Sequence, residues 1–157
     1  MLKDLLRRLL SGVARCWLSP RWLRQRLLAD QSSHRLGDRG EVFAVRYLKQ
    51  HKFRILETQH RNTYGEMDVI ALDGDCIVFV EVKTRSSTDS GRPLEAVDHR
   101  KQQRLTRIAL AWLKKKKRLG KPARFDVISI VWAEHEEPDL QHFRNAFEPI
   151  GHGQFFG

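Results

Sequence analysis

The fold is decided by one stretch of the sequence, GEMDVIALDGDCIVFVEVK, residues 65–83. Apolar runs stand on both sides of Asp73-Gly74, a dipeptide typical of two-residue β-hairpin turns. The runs predict two antiparallel strands, at residues 67–72 and 75–83. The second strand is apolar until its end, where charged residues replace the hydrophobic ones. The sequence therefore predicts a core hairpin with a charged end.

The predicted turn also determines which side chains of the hairpin share a face. With that turn, Leu72 pairs with Asp75, and paired residues point to the same side of the sheet. Asp68, Glu81 and Lys83 then lie on one face, whereas a slip of one residue would put Asp68 on the opposite face from Glu81. The register therefore predicts two carboxylates and an amine at one edge of a buried sheet.

This set of groups suits phosphodiester hydrolysis. Mg²⁺ prefers oxygen ligands and often takes only one or two carboxylates from the protein. Asp68 and Glu81 are the expected ligands of Mg²⁺ or Mn²⁺. Lys83 is expected to orient a water molecule or to stabilise charge on the phosphate. The alternative is a simple cross-strand ion pair between Lys83 and one of the carboxylates.

Glu41 is the fourth candidate residue of the site and the third acidic one. A helix is predicted to begin near Asp38, with Ala44, Val45 and Leu48 as its apolar stripe. Glu41 lies on the same stripe and so projects toward the core. The spacing of Asp38 and Glu41 also fits a capping box, which would explain Glu41 without catalysis. Both interpretations stay open from the sequence.

The other predicted elements complete an α/β domain. They are a strand at residues 53–59, a long helix from Pro93 to Gly120, and a strand at residues 125–132. The order is then helix, three strands, helix and strand. That order predicts a layered domain with a mixed sheet and helices beside it.

The motifs resemble those of a known family. The matching segments, in order, are Gly37–Glu41, Tyr64–Ile70, Val78–Arg85, Arg124–Val127 and Asn145–Phe147. Through them the chain resembles the YraN-like family of bacterial proteins, which is assigned to the PD-(D/E)xK, or restriction-endonuclease-like, nuclease superfamily. Within that superfamily it looks similar to archaeal Holliday-junction resolvases. The resemblance covers residues 36–148.

The resemblance implies a restriction-endonuclease-like αβββαβ core and a role for each charged residue. It implies that Asp68 and Glu81 are metal ligands, that Lys83 is the catalytic lysine, and that Glu41 is the acidic residue of the first core helix. The chain departs from the family in having Gln59 where an Asn is usual.

The charge of the chain indicates a polyanionic partner. Its 157 residues carry a formal net charge of +10. DNA is the expected partner, contacted by Arg85, Arg92, Lys101 and Arg104, which follow the acidic strand or begin the long helix. The basic run at residues 114–118 is explained equally well by phosphate contact and by the dipole at a helix C-terminus. A homodimer is a further expectation, since cutting both strands often needs two sites.

The first 35 residues form a separate basic extension in this interpretation. They hold eight Lys/Arg and two Asp/Glu, and residues 2–17 have the pattern of an amphipathic helix. Residues 1–28 are expected to pack on the domain, to lie weakly on a membrane surface, or to contact another protein. The nuclease-like domain is expected at residues 36–150, and a tail at residues 151–157.

Three functions are compatible with the sequence. The first is a metal-dependent endonuclease that cuts DNA, with selectivity for structure rather than sequence. The second is a nucleic-acid-binding module with the same fold and little or no hydrolytic activity. The third, a membrane-associated adaptor, explains the basic extension but leaves the acidic residues unexplained. Two cysteines far apart in sequence do not require an oxidising compartment, so a cytoplasmic location is expected.

Overall fold

The computed structural model describes residues 36–85, 97–132, 137–151 and 156. The predicted basic extension at residues 1–35, its contacts through residues 1–28, and Arg92 lie outside these residues. None of the helices in the described ranges is long and apolar enough to cross a membrane.

The described residues form two helices and five strands. They are α1 (Leu36–Gln50), β1 (Arg54–Asn62), β2 (Gly65–Asp73), β3 (Cys76–Arg85), α2 (His99–Lys115), β4 (Ala123–Val131) and β5 (Asp139–Phe147). The strands lie in sequence order in one sheet, in which only β3 and β4 are parallel. The α/β class and the αβββαβ order are confirmed, and β5 is an additional strand that the pattern did not predict.

The sheet is buried on both faces because one helix covers each side. Side chains of β3 alternate between the faces, as in any strand. Val78 and Val80 belong to the cluster of α1, whereas Ile77 and Phe79 belong to the cluster of α2. A strand that is buried on both faces has a continuous apolar run, which is why β3 was recognisable in the sequence.

The C-terminal residues predicted as a tail contribute to the same core. Phe156 is buried, and its ring centroid lies 5.6 Å from that of Phe125 on β4. Phe156 therefore helps to close the cluster on the side of α2.

The hairpin between β2 and β3 turns one residue later than predicted. Asp73 pairs with Cys76, so the two turn residues are Gly74 and Asp75 rather than Asp73 and Gly74. Gly74 has a φ of 59° and supplies the positive φ that a tight hairpin needs at its first central position. Moving the turn by one residue shifts the pairing by two, and a shift of two leaves the paired side chains from Val69 to Asp73 on their predicted faces. Met67, beyond the last pair, packs in the cluster of α2, whereas Val69 and Ala71 belong to the cluster of α1.

Both edges of the sheet are irregular. The pairing of β1 with β2 shifts register between Ile55 and Glu57. The pairing of β4 with β5 shifts between Phe125 and Val127. Each outer strand is therefore bent relative to its neighbour.

A buried ion network ties β4 to β5. Asp126 has no solvent exposure, and Arg124 Nε and His142 Nε2 each lie 2.9 Å from one of its carboxylate oxygens. The backbone N–H of Asn145 donates a third hydrogen bond to Asp126, at 2.9 Å. Arg124 also pairs with Asp73 at the end of β2, at 2.9 Å. The network therefore connects three strands on the side away from the hairpin's charged end.

Asp126→Asn is expected to lower the free energy of unfolding by about 3–5 kcal/mol, because the partly buried guanidinium of Arg124 would lose its counter-charge. Burial alone would raise the pKa of Asp126, but hydrogen bonds from His142 and Arg124 outweigh it and hold the pKa below its ordinary value. The contribution of Asp126 is therefore complete above about pH 4 and is lost as the pH falls through the lower folded-state pKa.

Urea unfolding of both proteins at pH 7 and at pH 2.5–3 checks this expectation. The difference between wild type and Asp126→Asn should shrink at the lower pH. Asp139→Asn, at an exposed position of β5, is the control and should change stability by less than about 0.5 kcal/mol. An equal loss at both pH values would contradict the role of the charge.

Helix α1 approaches β3 closely at Gly40. A Cβ at this position would lie 1.7 Å from Thr84 Oγ1, whereas a Cβ at Gly37 would have nothing within 4 Å. Gly40→Ala is therefore expected to destabilise the protein by about 1–3 kcal/mol through overpacking. Gly37→Ala should be neutral or stabilising by up to about 1 kcal/mol, since alanine favours the helix. Urea midpoints of the two variants measure the contrast, and similar midpoints would refute the close approach.

Candidate functional site

The site begins where the ladder between β2 and β3 ends. The last backbone pair toward that end is Val69 with Val80. Beyond it, the N–H of Val82 donates a hydrogen bond of 2.7 Å to Asp68 Oδ2. A side-chain carboxylate thus accepts the hydrogen bond in place of a backbone carbonyl. The two strands separate here, and the carboxylate of Asp68 stays between them.

Glu81 is the buried acid of the site and contacts two lysines. It is 5% exposed, which is rare for a carboxylate unless the charge is paired. Its Oε1 accepts a hydrogen bond from Lys101 Nζ of α2 and lies 3.4 Å from Lys83 Nζ. Two cations from different elements therefore compensate one buried anion. We call Asp68, Glu81, Lys83 and Lys101 the carboxylate centre.

Burial and neighbouring carboxylates raise the pKa of Asp68 and of the nearby Glu41. Burial, followed by the charge of Glu81, raises the pKa of Asp68 to about 7. Burial also raises the pKa of Glu41, although a hydrogen bond from Gln59 opposes the change. Clustered carboxylates that resist ionisation together are typical of sites that bind cations.

The two lysines of the centre shift in opposite directions. Burial lowers the pKa of Lys101, and the favourable charge of Glu81 does not restore it. Burial acts in the same direction on Lys83, but the contacts with Lys101 and Glu81 outweigh it and raise its pKa. Lys83 and Lys101 therefore differ in proton affinity although both contact Glu81.

Glu41 lies near the carboxylate centre, but it forms its hydrogen bond with Gln59, which is not part of the centre. Its Oε2 accepts a hydrogen bond of 3.1 Å from Gln59 Nε2 of β1. Asp38 lies within the first turn of α1 rather than at its N-cap, so the predicted capping box is not formed. The negative charge of Glu41 raises the pKa of Asp68 without a direct contact between the two side chains.

Gln59 was not identified as a candidate from the sequence alone. It has a φ of 51°, in the left-handed region that Asn enters more readily than other non-glycine residues. The Asn that the resemblance described above leads us to expect near this position would fit that backbone conformation. The departure from the family pattern was therefore the available signal for a special position, and the structure places it against Glu41.

The predicted DNA contacts occupy different environments. Lys101 lies against Glu81, Arg104 is exposed on α2, and Arg85 is half-buried at the end of β3. The position of Lys101 had a signal in the sequence: it is four residues after Val97 and four before Leu105, both buried. That spacing puts Lys101 on the inner stripe of α2.

Asp68 and Glu81 offer carboxylate oxygens, the kind of ligand that a hard divalent cation prefers. No group of three or more His, Cys, Asp or Glu side chains converges within residues 36–85, 97–132 and 137–151. Asp68 and Glu81 nevertheless provide two carboxylates, and a magnesium ion needs only one or two together with substrate oxygens and water. A cation there would compete with the lysines for Glu81.

Comparisons with known proteins identify the family. The family described as "Uncharacterised protein family UPF0102" matches residues 40–130. The chain is 48% identical over 120 residues to a UPF0102 protein of Geotalea uraniireducens (strain Rf4). The aligned region covers 76% of this chain and 93% of the relative. It is 49% identical over 113 residues to one of Geobacter metallireducens, which spans 72% of this chain and 92% of the relative.

A more distant relative gives the same result. A UPF0102 protein of Rhodococcus opacus (strain B4) is 43% identical over 112 residues, covering 71% of this chain and 95% of the relative. The matched region, residues 40–130, contains Glu41 and the whole carboxylate centre. The chain belongs to the UPF0102, or YraN-like, family.

Proposed function

We propose that the protein is a divalent-metal-dependent nuclease that hydrolyses phosphodiester bonds of DNA. The observation that carries this proposal is the meeting of Asp68, Glu81 and two lysines where β2 and β3 separate. Paired carboxylates beside amines combine a cation site with groups that stabilise a phosphate. A purely structural ion pair would need only one lysine for Glu81.

Each residue has a distinct task in this proposal. Asp68 and Glu81 would hold Mg²⁺ or Mn²⁺, with Glu41 close enough to add negative charge. A bound divalent cation supplies Lewis-acid stabilisation of the negative charge on the phosphoryl oxygens. Lys83, whose side chain is 31% exposed, can approach the substrate and stabilise the same charge.

The backbone of the hairpin fixes the positions of these groups. The N–H of Val82 orients the carboxylate of Asp68, and Lys101 orients that of Glu81. Because both partners belong to regular elements, the oxygens are preorganised before a substrate arrives. The net charge of +10 supports a polyanionic substrate, with Arg85, Arg92 and Arg104 as further phosphate contacts.

A nucleic-acid-binding module without hydrolytic activity is the second candidate. It is favoured by the direct contact of Lys101 with Glu81, since an ammonium at that carboxylate already neutralises it. In this alternative the centre is a structural ion cluster at the end of a strand. The same cluster would then gain little from a metal ion.

Cleavage assays distinguish the two candidates. Single-stranded, duplex and four-way-junction DNA are incubated with the full chain and Mg²⁺ or Mn²⁺. Asp68→Ala, Glu81→Ala and Lys83→Ala should each lower the rate about 100-fold or more, because each removes a ligand or a charge-stabilising group. Asp75→Ala, exposed in the turn of the same hairpin, should leave the rate unchanged.

Two outcomes would decide against this assignment. Binding of DNA without cleavage in either metal would establish the second candidate. Equal cleavage by wild type and Lys83→Ala would remove the catalytic role of that lysine.

Metal affinity provides a test that does not depend on activity. Titration calorimetry with Mn²⁺ should give weaker binding for Asp68→Asn than for wild type. Lys101→Met should bind Mn²⁺ about threefold or more tightly, since the competing ammonium near Glu81 is removed. Arg107→Met, at an exposed position of the same helix, is the control for loss of a positive charge. Weaker binding by Lys101→Met than by this control would show that Lys101 supports the metal site instead of competing with it.

A further inference from the structure

Arg39 on α1 has buried polar atoms that lack a partner. Its Nε and Nη2 are withdrawn from solvent, and neither forms a hydrogen bond with the part of the chain that the structure describes. These two nitrogens form one edge of the guanidinium group, the edge that can donate to two oxygens of a phosphate at once. Buried unpaired donors are unfavourable, so an anion with two accepting oxygens would lower the energy of this position.

The guanidinium is held in place by an aromatic ring. Its Cζ lies 4.6 Å from the centroid of Trp132, which follows β4. Phe43, one turn later on α1, also contacts this indole, with ring centroids 5.7 Å apart. A guanidinium stacked in this way is oriented before a ligand binds, which reduces the entropy lost on binding.

A second unpaired donor lies next to Arg39. Thr84 Oγ1 is also buried and has no hydrogen-bond partner among the described residues. The backbone of Gly40, the residue after Arg39, approaches this hydroxyl so closely that no side chain fits between them. In the sheet, Thr84 pairs with Ile130, two residues before Trp132, so the hydroxyl and the stacked guanidinium occupy neighbouring positions on the face of α1.

The position of these groups relates them to the carboxylate centre. Thr84 directly follows Lys83 at the end of β3, so the two side chains leave the strand at neighbouring positions but on opposite faces of the sheet. Glu41 reaches Gln59 of β1, whereas Arg39 reaches Trp132 beyond β4. Helix α1 therefore crosses the end of β3 with Glu41 directed toward β1 and Arg39 directed toward β4. Neighbouring strands are about 4.8 Å apart, so β1 and β4, which are three spacings apart in the sheet, are separated by roughly 14 Å, the rise of about four nucleotides.

We propose that Arg39 and Thr84 form a subsite for the non-bridging oxygens of a backbone phosphate close to the phosphodiester at the carboxylate centre. The phosphodiester at the carboxylate centre rests on the proposed function. The binding of an anion by Arg39 and Thr84 does not depend on it. One guanidinium edge matches the two non-bridging oxygens of a phosphodiester, and the hydroxyl can donate to one of them. The subsite holds the strand in register and reads no base.

Binding of oligonucleotides by the full chain in EDTA tests the subsite without cleavage. Fluorescence anisotropy is measured with a 20-nucleotide single strand and the matching duplex over a series of salt concentrations. Arg39→Gln should weaken binding about ten- to a hundredfold and reduce the slope of log affinity against log salt by about 0.7–0.9. Arg39→Lys keeps the charge but loses the paired donors, so it should restore the salt slope and only part of the affinity.

Matched variants separate the subsite from general charge and from folding. Arg46→Gln removes a positive charge from an exposed position of the same helix and should change affinity less than about twofold. Thr84→Val keeps the shape of the side chain and should weaken binding about threefold or more. In the free protein Thr84→Val should keep or raise the urea midpoint, because it removes a buried hydroxyl without a partner. A lowered midpoint with unchanged binding would overturn the proposal.

Inorganic phosphate distinguishes a free anion from a nucleic-acid phosphate. If phosphate raises the melting temperature of wild type but not of Arg39→Gln, while both bind oligonucleotides equally, the subsite serves a free anion and the proposal fails. If wild type does not cleave DNA but binds it in an Arg39-dependent way, nuclease activity fails and the subsite stands. If Arg39→Gln and Thr84→Val cleave DNA as fast as wild type at limiting substrate, the nuclease function stands and the subsite fails.

Discussion

The hydrogen bond from the Val82 N–H to Asp68 is the interaction on which the site depends. It satisfies a backbone donor at the point where β2 leaves β3, so the strands can separate without leaving that group unpaired. Separation of the strands in turn leaves room at their end for the side chains of Glu81 and Lys83. A regular ladder continued past Val69 and Val80 would have used the same N–H for sheet structure alone.

Burial and charge oppose each other at this end of the hairpin. The side chains of β3 are buried on both faces of the sheet, and the charged Glu81 is buried among them. Lys101 makes this possible because α2 brings its amine across the sheet face to the carboxylate. The helix thus has two functions along one stripe: Leu105 and Ile108 cover the sheet, and one turn earlier the same stripe supplies a cation. Stability and the arrangement of charges therefore come from the same packing.

Much of the fold could be predicted from local pattern. The apolar runs of β2 and β3 on both sides of the turn identify the hairpin, and an error of one residue in the turn did not change the faces of the paired residues. The strand β5 was missed because its residues alternate irregularly between exposed and half-buried positions. The ion network of Asp126 was missed for another reason: Arg124 is its neighbour on β4, but His142 and Asn145 come from β5, and only tertiary structure brings them to Asp126. Lys101 could have been placed from its helical spacing, whereas the contact between Glu41 and Gln59 depends on an unusual backbone φ.

The irregular pairing of the two outer strands has a consequence for the behaviour of the protein in a crowded cell. A flat outer strand offers a row of unpaired backbone groups to which another chain can add, and this is a common first step of aggregation. Here the register shifts near Glu57 and Val127 bend both borders of the sheet. Charged residues such as Arg54, Arg61 and Asp139 stand exposed along them. A very hydrophobic central strand is therefore flanked by borders that discourage the growth of the sheet from one molecule into the next.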